Sequence, residues 1–239
     1  MSEVVERSLR LVPQPFESTI LGFAVERLEL QKSESIADIV QALKSSPARL
    51  VMCRIEAHDS EVGDRLRALG FNEVEQLVTF ERDTEGSVNV PAFIAVGDAD
   101  AADRCAEIAR GAFRYDRFHA DGGIAGHVAD ELKAMWAGNN ARGRADRCLL
   151  ARRNGDIVGF SQCLKGDEVA VIDLIAVAPE AQGHGVGRAL VDASFAAYRG
   201  RVRTMRAGTQ AANFPSLALY RSAGMTAIRT ARTFHRWDR

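Results

Sequence analysis

The stretch that most limits how this chain can fold runs from Val169 to Tyr198 and reads VAVIDLIAVAPEAQGHGVGRALVDASFAAY. Its first nine residues are apolar and largely β-branched, broken only by Asp173. That composition predicts a strand buried on both faces. Pro179 stops it, because proline has no N–H to give a ladder. Gln182-Gly183-His184-Gly185-Val186-Gly187 follows, and from Val186 onward Leu190, Val191, Ser194, Phe195 and Tyr198 fall at helical spacing. A strand thus feeds through a glycine-rich turn into a helix N-terminus. Glycine lets bare amides approach a ligand closely, and the first helical turn adds unpaired N–H donors and the positive end of a dipole. The predicted property is a phosphate site. The spacing is not the dinucleotide G-x-G-x-x-G, and Arg188-Ala189 stands where a P-loop needs lysine and a hydroxyl residue. A glycine-rich corner with no ligand is the alternative at this level.

The chain has 239 residues, enough for one large domain or two small ones. A net charge of −1 gives no global field for nucleic acid or an anionic membrane, so neither is expected as a partner. The charge is uneven: from Arg199 to Arg239 nine arginines face a single acid, Asp238. This reads either as a solvated basic face or as the approach to a polyanionic ligand. Cys53, Cys105, Cys148 and Cys163 form no C-x-x-C pair, so neither a zinc site nor a disulfide framework is expected, and no metal is assigned. The first residues mix charges without an apolar core and no run is long enough to span a bilayer, so the expected location is the cytoplasm.

In chain order, residues 1 to about 15 carry little pattern. Strands are predicted at 21–30, 49–55 and 73–82, and helices at 35–43, served by Ser33, Glu34 or Ser35, and at 58–69, closed by Gly70. Residues 83–91, DTEGSVNVP, form the best linker, which divides the chain into 1–85 and 90–239. The second unit is predicted to hold a short strand at 92–96, helices at 100–112 and up to Asn139, and a hairpin turning at Asn154-Gly155. The glycine-turn strand and helix follow, then a strand at 202–208, a helix at 216–223 and closing strand material at 225–235. Both units end in a helix, a Gly-apolar pair (Gly70-Phe71, Gly224-Met225) and a strand, so the first reads as a shortened copy of the second.

Val177, Pro179, Gln182, Gly185 and Gly187 together resemble the coenzyme signature of the GCN5-related N-acetyltransferases (GNAT). Asn213, Ser216, Leu219, Tyr220, Gly224 and Met225 follow a second pattern of that family, in the right order. The resemblance implies an α/β fold with an α+β mixed sheet, a GNAT acyl-CoA N-acyltransferase domain at 90–239, and a truncated GNAT-like substrate-side domain at 1–85. It implies acetyl-CoA as cosubstrate, held by Ile175, Ala176, Val177, Gln182, Gly183, His184, Gly185, Val186, Gly187, Arg188, Asn213 and Tyr220. Tyr220 falls where the family places a general acid, and a phenol arrives protonated at neutral pH.

More narrowly, the chain resembles the TDP-fucosamine acetyltransferase group, through Gly22-Phe23, Gly70-Phe71, Arg117-Phe118, Trp136, Asn139, Arg142-Gly143 and Phe234-His235-Arg236-Trp237. This implies a nucleotide-linked amino sugar as acceptor, with Glu75 as base or water relay and with Arg117, Phe118, His119 and Asn139 on the acceptor side. Other amines (a peptide N-terminus, a polyamine, a drug) and a non-catalytic acetyl-CoA-binding module are the alternatives. Exposed sheet edges are compatible with a homodimer.

Overall fold

The computed structural model describes residues 9–30 and 35–238. The first half contains β1 (Arg10–Pro13), α1 (Pro15–Leu21), β2 (Val25–Glu29), α2 (Ile36–Ser45), β3 (Leu50–Glu56), α3 (Ser60–Ala68) and β4 (Asn72–Asp83). A loop then leads to β5 (Ile94–Val96), α4 (Ala102–Ala112), α5 (Gly126–Asn139), β6 (Arg147–Arg153), β7 (Asp156–Lys165) and β8 (Val169–Val177). The chain closes with α6 (Val186–Tyr198), β9 (Thr204–Gln210), α7 (Phe214–Ser222) and β10 (Thr226–Trp237). β1 and α1 occupy ground where the sequence predicted only a lead-in and the start of a strand. Pro15 begins α1 and Gly22, at φ 76°, ends it, the usual proline-first, glycine-last asymmetry. Ser35 caps α2 by accepting the Asp38 amide at 3.1 Å. Ser33 and Glu34 lie outside the described residues.

Among the described residues, ten strands form one mixed sheet in the order β1-β2-β3-β10-β4-β9-β8-β7-β6-β5. The predicted linker is indeed irregular, yet the strands on either side of it share that sheet. β10, the last strand, lies between β3 and β4 of the first half, and β4 lies between β10 and β9 of the second. The exchange is reciprocal. β3, α3 and β4 begin at 50, 60 and 72, while β9, α7 and β10 begin at 204, 214 and 226, each 154 residues later and of equal length. The registers repeat as well: Leu50↔Trp237 and Glu56↔Ala231 become Thr204↔Asp83 and Gln210↔Leu77. Phe80 and Phe234 are equivalent on this count, and each is fully buried in the core of the opposite half.

Alternation along the strands sorts the helices onto two faces. On β3, Val51, Cys53 and Ile55 pack with α2 and α3, whereas Leu50 and Met52 pack with α1 and α5. On β8, Leu174 and Ala176 pack with α4 and α5. Ile172, two residues earlier, instead packs on the opposite face with Val191 and Phe195 of α6 and Leu217 of α7. The change of face has a cause in the register. Gln162↔Leu174 is followed by Cys163↔Ile172, so Asp173 is the extra residue of a β-bulge, which bends and twists the strand that carries it.

Candidate active site

β8 and β9 run parallel and pair over only four positions, from Val169↔Thr204 to Ile172↔Ala207. From the bulge at Asp173 onward, β8 keeps its ladder with β7 alone. The strands part there, and the backbone edge of Asp173–Val177 that would have met β9 has no strand beside it. This segment includes Ile175, Ala176 and Val177, expected to serve an extended ligand. Ala176 is buried, while Ile175 and Val177 are partly exposed.

The glycine turn caps this gap. Gly183 and Gly185 sit at φ 76° and 78°, left-handed values that a Cβ disfavours. The six amides from Gly183 to Arg188 donate to no acceptor among the described residues; the first helical bond of α6 comes from Ala189 to Gly185. The turn therefore presents a row of donors at the positive end of a 13-residue helix. The side chains brace this row. Gln182 Nε2 donates to the Val177 carbonyl at 3.0 Å, and His184 Nδ1 donates to the Gln182 carbonyl at 2.8 Å. Arg188 bonds Asp192 and the Ser222 carbonyl, both at 2.8 Å, which ties α6 to α7. Gly187 is not demanded by its backbone angle. A methyl group there would meet Leu219 Cδ2 at 3.5 Å and Val177 Cγ2 at 3.9 Å, so its absence keeps space open between the turn, β8 and α7.

Asn213 caps α7, accepting the Ser216 amide at 3.2 Å. Tyr220, two residues before the end of α7, stacks at a tilt on Phe80 with centroids 5.6 Å apart and is 2% exposed. Burial pushes its phenol above the ordinary tyrosine range, so it is held protonated. Its hydroxyl has no hydrogen-bond partner among the described residues, yet it is not one of the sealed polar atoms.

Glu75 is a buried carboxylate held on three sides. Oε1 accepts from Arg54 Nη2 at 2.9 Å and from the Thr233 hydroxyl at 3.0 Å, and Oε2 accepts from Gln210 Nε2 at 2.9 Å. Those partners sit on β3, β10 and β9. Gln210 is the last residue of β9, on the strand that borders the gap.

The loop between α4 and α5 covers this region. Arg117 reaches Glu17 at 3.3 Å and lies over the Phe118 ring at 4.3 Å. Phe118 is fully buried among Val25, Leu50, Met52 and Leu132, so direct ligand contact by its ring is set aside. His119 faces inward too, between Asp116 at 2.6 Å and Asp130 at 3.1 Å. Burial alone would lower the His119 pKa, but the two carboxylates outweigh it and raise it. Asp116 is the converse: burial opposes its charge, while His119 and Lys133 bring it down to about 2. Asn139 is exposed at the end of α5; its buried neighbour Asn140 is the residue that faces β8.

That contact was not anticipated. The Asp173 carboxylate at the bulge accepts from Trp136 Nε1 at 2.9 Å, Asn140 Nδ2 at 2.8 Å and Arg144 Nη1 at 2.7 Å. Asn140–Arg144 is a wide turn in which the Ala145 amide reaches back five residues to the Asn140 carbonyl, with Gly143 at φ 115°. The available signal was Asp173 itself, a lone charge in an apolar strand. Lys133 was also missed. It is buried beside Asp116 at 3.6 Å and under the rings of Phe113, Phe118 and Trp136. Three arginines of the basic C-terminal region pair with acids of the first half: Arg206 with Glu81, Arg229 with Glu56 and Arg232 with Glu73. Among the described residues no cluster of His, Cys, Asp and Glu could hold a metal, and no helix is long and apolar enough to cross a membrane.

Within one mixed α/β sheet, a parallel strand pair thus parts at a bulge beside an amide-rich turn that opens the next helix. A family model described as acetyltransferase (GNAT) family matches residues 104–225, just over half of the chain, and the protein belongs to that family of N-acetyltransferases. It is similar to spore coat polysaccharide biosynthesis protein SpsD of Bacillus subtilis (strain 168), with 31% identity over 62% of this chain and 52% of that protein. It is also similar to mycothiol acetyltransferase of Streptomyces bingchenggensis (strain BCW-1), with 36% identity over 34% of this chain and 28% of that protein. The chain thus aligns with about half or less of these relatives' length. Among solved structures, a GCN5-related N-acetyltransferase from Sphaerobacter thermophilus shares the fold at 15% identity, with a TM-score of 0.65 over 96% of this chain and 76% of its own.

Proposed function

We propose that the protein transfers an acetyl group from acetyl-CoA to the amine of a small-molecule acceptor, a nucleotide-linked amino sugar, by direct attack in a ternary complex. One observation carries the reading: six unpaired amides, Gly183 to Arg188, stand at a helix N-terminus beside the gap between β8 and β9. That set fits a pyrophosphate followed by an extended amide-bearing arm, and the open space at Gly187 lets the arm pass α7. When bound, acetyl-CoA supplies the thioester whose acyl group is transferred. The chain's own residues do the rest. The backbone edge of Asp173–Val177 orients the arm. Glu75 takes the proton that makes the amine nucleophilic, directly or through a water, and Tyr220 gives a proton to the departing sulfur. The sugar is favoured as acceptor by the likeness to a polysaccharide biosynthesis protein. The four cysteines are all buried, which agrees with transfer that bypasses an acyl-enzyme.

The test is acetyl-CoA binding by calorimetry, followed by turnover with a panel of amino sugars, nucleotide-linked and free, beside peptides and polyamines. The parent is expected to bind acetyl-CoA. Gly187→Glu is expected to fold as well as the parent and lose that binding, because a carboxylate at the first turn suits the dipole but its side chain fills the space beside α7 through which the arm passes. Tyr220→Phe is expected to keep binding and lose about 10²- to 10³-fold in kcat. Undiminished binding in Gly187→Glu would sink the site, and a parent that binds acetyl-CoA but acetylates nothing in the panel would sink the enzymatic reading of the acceptor.

A further inference from the structure

The first half repeats the geometry that makes the coenzyme gap. β2 and β3 are parallel and pair over four positions, Val25↔Leu50 to Leu28↔Cys53, the same number and the same starting point on the repeat as β8 and β9. Beyond Leu28 they part, and a cavity of ≈ 580 Å³ opens between their ends. What surrounds it is different from the second half. Leu66, fully buried, stands at the position equivalent to Tyr220, so the first gap has no phenol. The connection from β2 to α2 contains no glycine, whereas that from β8 to α6 contains Gly183 and Gly185. A second coenzyme site is therefore not what has been retained.

The cavity wall instead carries four guanidiniums, from Arg27, Arg54, Arg117 and Arg229. Three carboxylates line the same wall: Asp59, 3.5 Å from His58, and two held by arginines of the wall, Glu29 by Arg27 at 2.6 Å and Glu56 by Arg229 at 2.7 Å. Both arginine pairs are solvent-exposed, the kind that exchanges partners at little cost. Deeper in, Arg54 lies close enough to Arg117 for the two charges to oppose each other, and Arg117 acts in the same sense on Lys133 and His235. Cations crowded around an open volume are relieved by an anion with several oxygens, and guanidinium forks match phosphate geometry. The cavity also communicates with the chemistry. Arg54 and Thr233 belong to its wall, and both donate to Glu75 Oε1, while Gln210, at the end of β9, donates to Oε2. Glu75 thus stands between the two gaps.

We infer that the cleft between β2 and β3 is the acceptor's phosphate site: it holds the phosphate or diphosphate of the amine substrate through Arg27, Arg54, Arg117 and Arg229, with the amine directed toward Glu75. This rests on the acetyltransferase reading for the role of Glu75, but binding itself is measured without turnover. The probes are UDP, TDP and inorganic pyrophosphate, titrated into the full chain by calorimetry, with acetyl-CoA titrated in parallel. UDP or TDP is expected to saturate one site, with pyrophosphate weaker if the nucleoside is also recognised and equal if only phosphate is read. Arg27→Ala and Arg229→Ala, both at exposed positions, are expected to weaken that binding about tenfold each and to leave acetyl-CoA binding unchanged. Gly187→Glu is expected to do the reverse. The inference is overturned if no probe binds the parent, or if nucleotide binding is lost in Gly187→Glu and kept in the arginine variants, since the diphosphate would then be resting on the coenzyme turn. Failure of acetyl-CoA alone to bind would overturn the transferase reading and leave the phosphate site standing.

Discussion

Asp173 is the one charge in an apolar strand, and its carboxylate gathers three donors from a single helix and the turn that ends it. Removing it leaves the Trp136 and Asn140 N–H groups facing a partly buried space without an acceptor, each costing about 1–3 kcal/mol. Asp173→Ala is therefore expected to lower unfolding free energy by about 2–4 kcal/mol in urea; a loss below about 0.5 kcal/mol would place Asp173 with ordinary surface residues. Two histidines set the pH dependence in opposite senses. His119 has a raised pKa from Asp116 and Asp130, so its contribution is complete below the unfolded value of about 6.5 and fades as pH rises through the folded value. His235 is the reverse. Burial lowers its pKa against the pull of Asp121, and its Nε2 is sealed without a partner. It is held neutral, and stability falls as pH drops below about 6.5, where the unfolded chain gains a proton that the folded one resists. Thermal midpoints are expected to decline on both sides of that region. His119→Gln should flatten the alkaline limb only, and an unchanged limb would remove His119 as its origin.

At the level of elements, the glycine turn makes a prediction that separates folding from binding. Gly187 lies inside α6 with ordinary clearance, so Gly187→Ala is expected to stabilise the free protein by about 0.5–1 kcal/mol. Gly183, at φ 76°, should cost about 1–2 kcal/mol when changed to Ala. Chemical denaturation of the two variants checks the contrast, and equal losses would refute it. The same contrast shows what was legible beforehand. The turn, β8, α6 and the Asn154-Gly155 hairpin each declare themselves within a dozen residues, and both hairpin residues take the expected positive φ, 52° and 91°. The Tyr220 helix and its Asn213 cap are equally local. β1 and α1 escaped because Pro13 and Pro15 suggest irregular chain, although Pro15 is a helix start. The partners of Glu75 escaped for a different reason: Arg54, Gln210 and Thr233 converge only after β3, β9 and β10 have been laid around β4, and no spacing announces that.

Across the whole molecule, reciprocal exchange of β4 and β10 means that neither half owns a complete sheet. Residues 1–85 contain β3 and β4 but lack the strand that pairs with both. Expressed alone, that segment is expected to remain unfolded by circular dichroism, and the full chain is expected to unfold in urea in one transition, with tryptophan fluorescence and far-ultraviolet signals coinciding. Two separated transitions would show that the halves are independent after all.

The interleaving also bears on how the chain is made. β10 emerges from the ribosome 154 residues after β4 (residues 237 and 83), so at about 5–20 residues per second the inner edges of β3 and β4 wait roughly 8–30 s for the strand that belongs between them. During that interval two open strand edges are exposed to whatever else the cell is translating. The yield of folded protein is then expected to respond to synthesis rate and chaperone supply.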